Sequence, residues 1–294
     1  MSAEETALAA VPVARRVARD DEIPPNFRPA GGVLWDPWFF SREGEHHVFY
    51  LRVVEHEGRA HLLYTGRRKR EFWYQRIGLA VSDDGLETWS KVPDVLVEPD
   101  PRHSSTTHDL NALGVAPAWR DPCVFRVPGS DLWHMTISAR TAGDRPHNAC
   151  VGLARSADLR EWEVLPPLLA PGVYDEMEAT QVVHHDGRWY VFFSTWAIHY
   201  RPDWAERHGA HSGLHCYVAD DLHGPYRPVN DGTGVVLPDA DRRYTVRLLG
   251  REGDGYTAMG WLNYDEQNRF VGTLSDPLRI VIDGDTVTAG PSKP

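Results

Sequence analysis

The sequence has little cysteine, little lysine and no long apolar run, and each shortage removes a class of protein from consideration. The three cysteines, Cys123, Cys150 and Cys216, are odd in number, widely spaced and set in apolar segments. They read as buried free thiols in a reducing compartment, not as a disulfide framework. No stretch approaches the roughly 18 apolar residues of a membrane span. The short patch from Ala7 to Ala14 is preceded by Glu4 and Glu5 and followed by Arg15 and Arg16, the reverse of a signal peptide's charge order. The expectation is a cytoplasmic protein without a membrane partner. Only three of the 31 basic residues are Lys, and 42 acidic residues leave a formal charge of −11, so nucleic acid is not an expected partner. The one basic cluster, Arg67 to Arg70, reads as a solvated hairpin tip. A Gly-rich phosphate loop, a dinucleotide fingerprint and a Ser-His-Asp nucleophile motif are missing too, and no cofactor is expected.

Helical periodicity is also scarce. With 22 Pro and 25 Gly spread along 294 residues, no window of about 12 residues holds a 3.6-residue apolar period. What is present is a series of short segments rich in β-branched and aromatic residues, from His47–Val54 to Val271–Leu274, bounded by Gly, Asp or Pro and read as strands. Trp204–His208 reads as one short helical turn. Eleven Trp is many for this length and suits both sheet cores and sugar-stacking platforms.

The strands carry a repeat. Ala80-Val-Ser-Asp-Asp-Gly-Leu-Glu-Thr-Trp89, Ala154-Arg-Ser-Ala-Asp-Leu-Arg-Glu-Trp162, Ala219-Asp-Asp-Leu-His-Gly-Pro-Tyr226 and Leu274-Ser-Asp-Pro-Leu278 read as variants of one strand-turn-strand unit. Radial repetition of such sheets is a β-propeller. A β-sandwich would also show many short strands, but has no reason to repeat this turn. The expected fold is therefore an all-β propeller, residues 22–294 forming a single domain behind a mobile N-terminal arm, residues 1–21. Four blades are legible; a fifth would have to come from Glu98–Ala118 or from pairing of the chain termini.

Acidic residues stand where strands begin: Trp35-Asp36-Pro37-Trp38, Arg120-Asp121-Pro122 and Asp175-Glu176-Met177-Glu178. In a propeller the innermost strands line one funnel, so equivalent strand starts converge there despite separations of 85 and 57 residues. Carboxylates gathered in one funnel repel one another and raise the pKa of at least one, as a general acid requires. Two carboxyl groups flanking a glycosidic bond are the minimal machinery for cleaving it. Taken singly, each residue has an ordinary alternative: Asp before Pro is common in turns, and Glu178 could be a surface charge.

These motifs resemble those of the furanosidase clan of five-bladed propellers, glycoside hydrolase families 32, 68, 43 and 62, with families 32 and 68 the most similar. Leu34-Trp35-Asp36-Pro37-Trp38 is similar to the family 68 nucleophile motif, Arg120-Asp121-Pro122 matches the Arg-Asp-Pro motif of families 32 and 68, and Asp175-Glu176-Met177-Glu178 resembles the Asp-Glu-x-Glu segment of family 68. The resemblance implies five blades, a carbohydrate or furanoside substrate, and three catalytic residues. Asp36 would be the nucleophile, Glu178 the general acid/base and Asp121 the stabiliser of an oxocarbenium-like transition state. It further implies that Arg120 and Glu176 orient the sugar or its partner carboxylates and that Trp35 and Trp38 shape the pocket wall. Such a route retains configuration, with the two catalytic carboxyls about 5–5.5 Å apart. Two departures bear on the substrate: the chain is short for family 68, and Ala179-Thr180 follows Glu178 where that family has Arg. Alternatives that stay open are an inverting α-L-arabinofuranosidase or β-xylosidase and a catalytically silent sugar-binding propeller.

Among other polar groups, His199, His208, His211 and His215 form the densest histidine cluster, but Gly209 and Gly213 argue against the helix that would pair them, and no metal site is expected. Ser104, Ser105 and His108 read as pocket rim. The loops Arg67–Tyr74 and Ala197–Ser212 are expected to set acceptor specificity. The oligomeric state is not legible.

Overall fold

The computed structural model describes residues 38–42, 45–49, 52–67, 71, 73–111, 114–143, 145–238, 242–264, 267 and 269–291. The expected N-terminal arm, residues 1–21, and two site candidates, Trp35 and Asp36, lie outside them. The architecture is all-β and propeller-like. A first hairpin pairs β1 (Trp38–Arg42) with β2 (Glu45–Phe49). Blade I is β3 (Arg52–His56), β4 (Arg59–Arg67), β5 (Gln75–Ser82) and β6 (Ser90–Val97) in sequential antiparallel order. Blade II repeats it with β7 (Trp119–Arg126), β8 (Trp133–Arg140), β9 (Ala149–Ser156) and β10 (Glu163–Leu169). Blade III holds β11 (Glu178–His185), β12 (Arg188–Thr195) and β13 (Gly213–Ala219), with β14 (Arg227–Pro228) and β15 (Val235–Pro238) both paired to β13. A short 3-10 turn (Ala197–His199) and one helix, α1 (Pro202–His208), sit between β12 and β13. Blade IV is β16 (Arg243–Glu252), β17 (Gly255–Tyr264), β18 (Phe270–Leu274), β19 (Leu278–Asp283) and β20 (Thr286–Pro291).

The first strands of the four blades, β3, β7, β11 and β16, lie side by side in that order, and β1 lies between β16 and β3. Five inner strands thus close a ring, with the β1–β2 hairpin in the fifth position. Of the two sources expected for a fifth blade, one lies among the described residues and does not supply it. The stretch 98–118 holds no strand among its described residues, only a bridge between Ser104 and Thr141. Its prolines remove ladder donors, and the Asp100 carbonyl instead closes a tight turn by accepting from His103 (2.9 Å) and Ser104 (2.7 Å) backbone N–H groups. Among the described residues the C-terminal strand β20 pairs with β19, and any pairing with residues before 38 lies outside them.

Blades are buried on both faces, which is why the strands read as unbroken apolar runs instead of alternating ones. In Tyr190-Val-Phe-Phe193, Tyr190 and Phe192 pack toward blade IV against Leu248 and Ile280, while Val191 and Phe193 pack toward blade II against Val151 and Leu153. Blades I and II meet through Leu63, Ile77, Leu79, Met135 and Ile137. Cys123, Cys150 and Cys216 are free and buried, and burial pushes the Cys150 thiol up to about 12.

The repeated turn has a physical account. Its leucines, Leu86, Leu159 and Leu222, fold inward as plugs at the end of the propeller remote from the inner-strand starts. Trp162 Nε1–H donates to the Leu159 carbonyl (3.0 Å) and the Tyr226 hydroxyl to the Leu222 carbonyl (2.8 Å), so the aromatic latches the leucine turn. Asp84 and Asp158 cap these turns by accepting backbone N–H groups. The fourth copy differs from expectation. Leu274–Leu278 is not a turn between strands but an interruption within one: β18 and β19 pair successively along the same edge of β17. Pro277, which has no N–H, explains the break.

Candidate active site

Three inner strands open with the same irregularity. The β7–β8 ladder jumps from Arg120–Ser138 to Cys123–Thr136, the β11–β12 ladder from Glu178–Ser194 to Gln181–Phe192, and the β16–β17 ladder from Tyr244–Trp261 to Arg247–Met259. Each jump is a bulge whose first residue, Asp121, Ala179 or Thr245, has a positive φ of 56°, 56° and 45° respectively. Left-handed backbone is costly for non-glycine residues, most of all for β-branched Thr, and bulges beside active sites re-aim side chains. In β7, Pro122 suits the bulge because it has no N–H to leave unpaired.

The residues just before the three bulges are Arg120, Glu178 and Tyr244, and they meet. Arg120 Nη2–H donates to Glu178 Oε1 at 2.9 Å, and the Tyr244 hydroxyl donates to Glu178 Oε2 at 2.6 Å. One register feature, used three times, therefore builds a lateral Arg–Glu–Tyr chain across blades II, III and IV.

Asp121 is fixed on the same framework. Its backbone N–H donates to Thr65 Oγ1 (3.1 Å), and its Oδ2 accepts from the Ser138 hydroxyl (2.9 Å) and from the N–H of Ala179 (2.9 Å). Because Ala179 follows Glu178, that last bond ties the two carboxylates to one another through backbone. Glu176 lies between two arginines: half-buried Arg120 donates to its Oε2 (2.5 Å) and buried Arg140 to its Oε1 (3.3 Å). Arg140 is itself anchored on Asn148 Oδ1 (2.8 Å) and the Ala116 carbonyl (3.1 Å). Asp175 accepts from the His147 backbone N–H at 2.7 Å.

Burial pushes the Glu178 carboxyl above the ordinary range. Arg120 and the Tyr244 hydroxyl oppose this, Glu176 and Asp121 add to it, and the net direction is upward. Burial disfavours the Arg120 cation, yet Glu176, Glu178 and Asp121 outweigh it and hold the guanidinium firmly protonated. The arrangement suits a carboxylic acid that keeps its proton to a higher pH than an exposed one, beside a carboxylate held by two directional contacts.

Of the candidate residues, the structure brings Arg120, Asp121, Glu176 and Glu178 together. Trp38 opens β1, the inner strand of the hairpin; Asp36-Pro37 precedes it as Asp121-Pro122 precedes the regular ladder of β7. Sequence reasoning missed Tyr244, Ser138, Arg140 and Thr65. Tyr244 had a signal, since Arg243-Tyr244 stands before an apolar strand as the acidic motifs do. The other three are ordinary strand residues without one. The histidines do not form one cluster: His215 is buried with Nδ1 on the Gly213 carbonyl and Nε2 on the Tyr200 hydroxyl, and His208 packs on Trp204. No group of three or more His, Cys, Asp or Glu among the described residues could hold a metal ion. At the rim, His108 stacks on Tyr74 at 4.2 Å, whereas Ser104 is buried.

A family model described as levansucrase/invertase matches residues 127–285, more than half of the chain. The chain belongs to the levansucrase/invertase family. The span matched to the levansucrase family contains Glu176, Glu178 and Tyr244 and begins just after Asp121. Levansucrase Lscbeta of Pseudomonas syringae pv. actinidiae is 29% identical over 240 residues, covering 70% of this chain and 53% of that one. Levansucrase LscA of Pseudomonas savastanoi pv. glycinea is 34% identical over 203 residues, 57% of this chain and 46% of the relative. The chain thus spans about half the length of the curated relatives it matches. Among solved structures, the inulosucrase from Halalkalicoccus jeotgali bound to kestose superposes with a TM-score of 0.65 at 25% identity, over 79% of this chain and 67% of that one. Bacillus subtilis levansucrase, at 17% identity and a TM-score of 0.64 over 81% and 67%, shares the fold.

Proposed function

We propose that this chain is a retaining glycoside hydrolase that transfers a fructofuranosyl group from a β-fructofuranoside to water or to an acceptor hydroxyl. The observation that carries the reading is the lateral Arg120–Glu178–Tyr244 chain with Asp121 bonded to the N–H of Ala179, and membership of the levansucrase/invertase family supports the substrate class over an arabinofuranoside.

In this reading the Asp36 carboxylate attacks the anomeric carbon while the Glu178 carboxyl gives its proton to the departing oxygen. The bond from that carbon to the leaving oxygen breaks and an ester to Asp36 forms. In the second half the Glu178 carboxylate takes a proton from water or an acceptor hydroxyl, whose oxygen displaces Asp36. Asp121 stabilises the positive charge that develops on the ring, and Arg120 and Glu176 hold the geometry. The upward displacement of Glu178 supports its assignment as the acid, because activity of the first step requires the protonated form.

The test is a proton NMR time course with sucrose and with kestose on the wild type and on Asp36→Asn, Asp121→Asn and Glu178→Gln. Release or transfer of fructose is expected, with each variant slowed by at least ~10²-fold, the usual scale for losing an acid/base or a positioned charge. Turnover undiminished in Glu178→Gln would refute the assignment, and release of the inverted anomer would refute the double displacement.

A further inference from the structure

The bulge in β11 takes Ala179 and Thr180 out of the β11–β12 ladder, directly after Glu178. Buried backbone carbonyls released from a ladder need other donors. Both of these accept from one side chain of the next blade: Arg247 Nη1–H donates to the Ala179 carbonyl and, at 3.2 Å, to the Thr180 carbonyl. The Thr180 carbonyl has a second, longer donor in the Thr136 hydroxyl (3.5 Å). Arg247 lies on β16 of blade IV, is 2% exposed, and is the first residue to rejoin the β16–β17 ladder after the bulge at Thr245. Next to it, the Gln181 side-chain amide bonds both the carbonyl (2.9 Å) and the N–H (3.0 Å) of Leu248, so a fixed seam between the two inner strands places the Arg247 stem.

Ala179 is thereby held from both sides in a left-handed conformation, φ 56°: its N–H donates to Asp121 Oδ2 (2.9 Å) and its carbonyl accepts from Arg247. Alanine has no polar side chain with which to hold itself there, and such a backbone persists only where its surroundings impose it. Because Glu178 immediately precedes Ala179, any change in the orientation of this backbone moves the Glu178 carboxyl and the Asp121 contact together. The sequence departs from family 68 at this residue, with Ala in place of Arg, and in this chain the guanidinium that meets it comes from blade IV.

We propose, on the basis of the fructosyl-transfer reading above, that Arg247 is a positioning residue for the reaction: by clamping the Ala179 carbonyl it fixes the bulge that sets Glu178 and Asp121 in their working relation. It acts through the Ala179 backbone, not on the sugar.

The experiment measures kcat and KM for sucrose, with circular-dichroism melts, on the wild type, Arg247→Met and Arg247→Lys, each also in the Asp121→Asn background. Met keeps the apolar stem without a donor, whereas Lys keeps the charge and a single donor atom, as Nη1 is here. In Arg247→Met, kcat is expected to fall by roughly 10–100-fold, the scale for a misplacement of about 1 Å at a reacting group, and Arg247→Lys to recover part of the loss. Since the effect runs through Asp121, the loss should be smaller by about threefold or more in the Asp121→Asn background, a coupling that a general loss of stability does not produce. An unchanged kcat in folded Arg247→Met, or an equal loss in both backgrounds, overturns this inference and leaves the fructosyl reading standing. Where Arg247→Met melts below the assay temperature, the same two outcomes in Arg247→Lys overturn it. A wild type silent on both sucrose and kestose overturns the fructosyl reading and this inference together.

Discussion

Tyr244→Phe removes one hydroxyl and little else: the ring stays, and with it the 4.3 Å stack on Trp196. What is lost is the 2.6 Å bond from the hydroxyl to Glu178 Oε2. A hydrogen bond to a charged, buried group contributes about 1.5–3 kcal/mol. If this bond steadies the Glu178 carboxylate that forms as the proton leaves, the same energy is lost from the transition state. At about 1.4 kcal/mol per factor of ten, kcat should fall by roughly 10–100-fold. The pH profile carries a second, independent expectation. The hydroxyl favours the ionised form and pulls the Glu178 pKa down against burial, so its removal displaces that pKa further upward. The acid step needs protonated Glu178, and activity is lost as pH rises through its pKa; the basic limb of the kcat profile should therefore move to higher pH in Tyr244→Phe. Steady-state kinetics from pH 4 to 9 on both proteins reads both effects. A lower kcat with the basic limb unmoved, or an unchanged kcat, would refute the claim that Tyr244 acts through Glu178.

Two further outcomes follow from packing and burial. Leu159→Ala empties a fully buried turn plug and should cost about 2–5 kcal/mol in urea unfolding, whereas Ile198→Ser should change stability by less than about 0.5 kcal/mol. His215 is buried and its pKa is pushed down to about 4 by loss of solvent. A folded pKa below the ordinary value of about 6.5 means stability is complete above that value and declines as pH falls toward 4, by about 3 kcal/mol over the window. Thermal melts of wild type and His215→Gln across pH 4–7 check this: the variant should show the flatter dependence, and parallel curves would contradict the assignment.

Much of the architecture is legible in the chain because the inner strands are buried on both faces. Tyr190-Val-Phe-Phe193 is β-branched or aromatic at every position, and the leucine-aromatic latch repeats at Leu159 and Leu222 because both turns have a gap to plug. The outer strands are harder to see. In β10, Glu163-Val-Leu-Pro-Pro-Leu-Leu169 carries two prolines that an edge strand tolerates and a central one would not. The Leu274–Leu278 copy misled because it shares letters with the turn but lies within the paired edge. At the site, Asp-Pro and the clustered acids announce themselves, whereas Ser138, Thr65 and Arg140 matter only because the sheet brings them beside Asp121 and Glu176, a relation with no local trace. Tyr244 lies between these cases: visible as a polar strand start, but without an acid to draw attention to it.

The bulges at Asp121, Ala179 and Thr245 divide each of those inner strands into two parts with separate obligations. Beyond the bulge, side chains answer to the neighbouring blades and can change little without opening the core. Before it, Arg120, Glu178 and Tyr244 reach across the blades to one another. The kink works as a joint that insulates one set of demands from the other, so substitutions ahead of it can redirect the chemistry while the ladders behind it keep the blades in place.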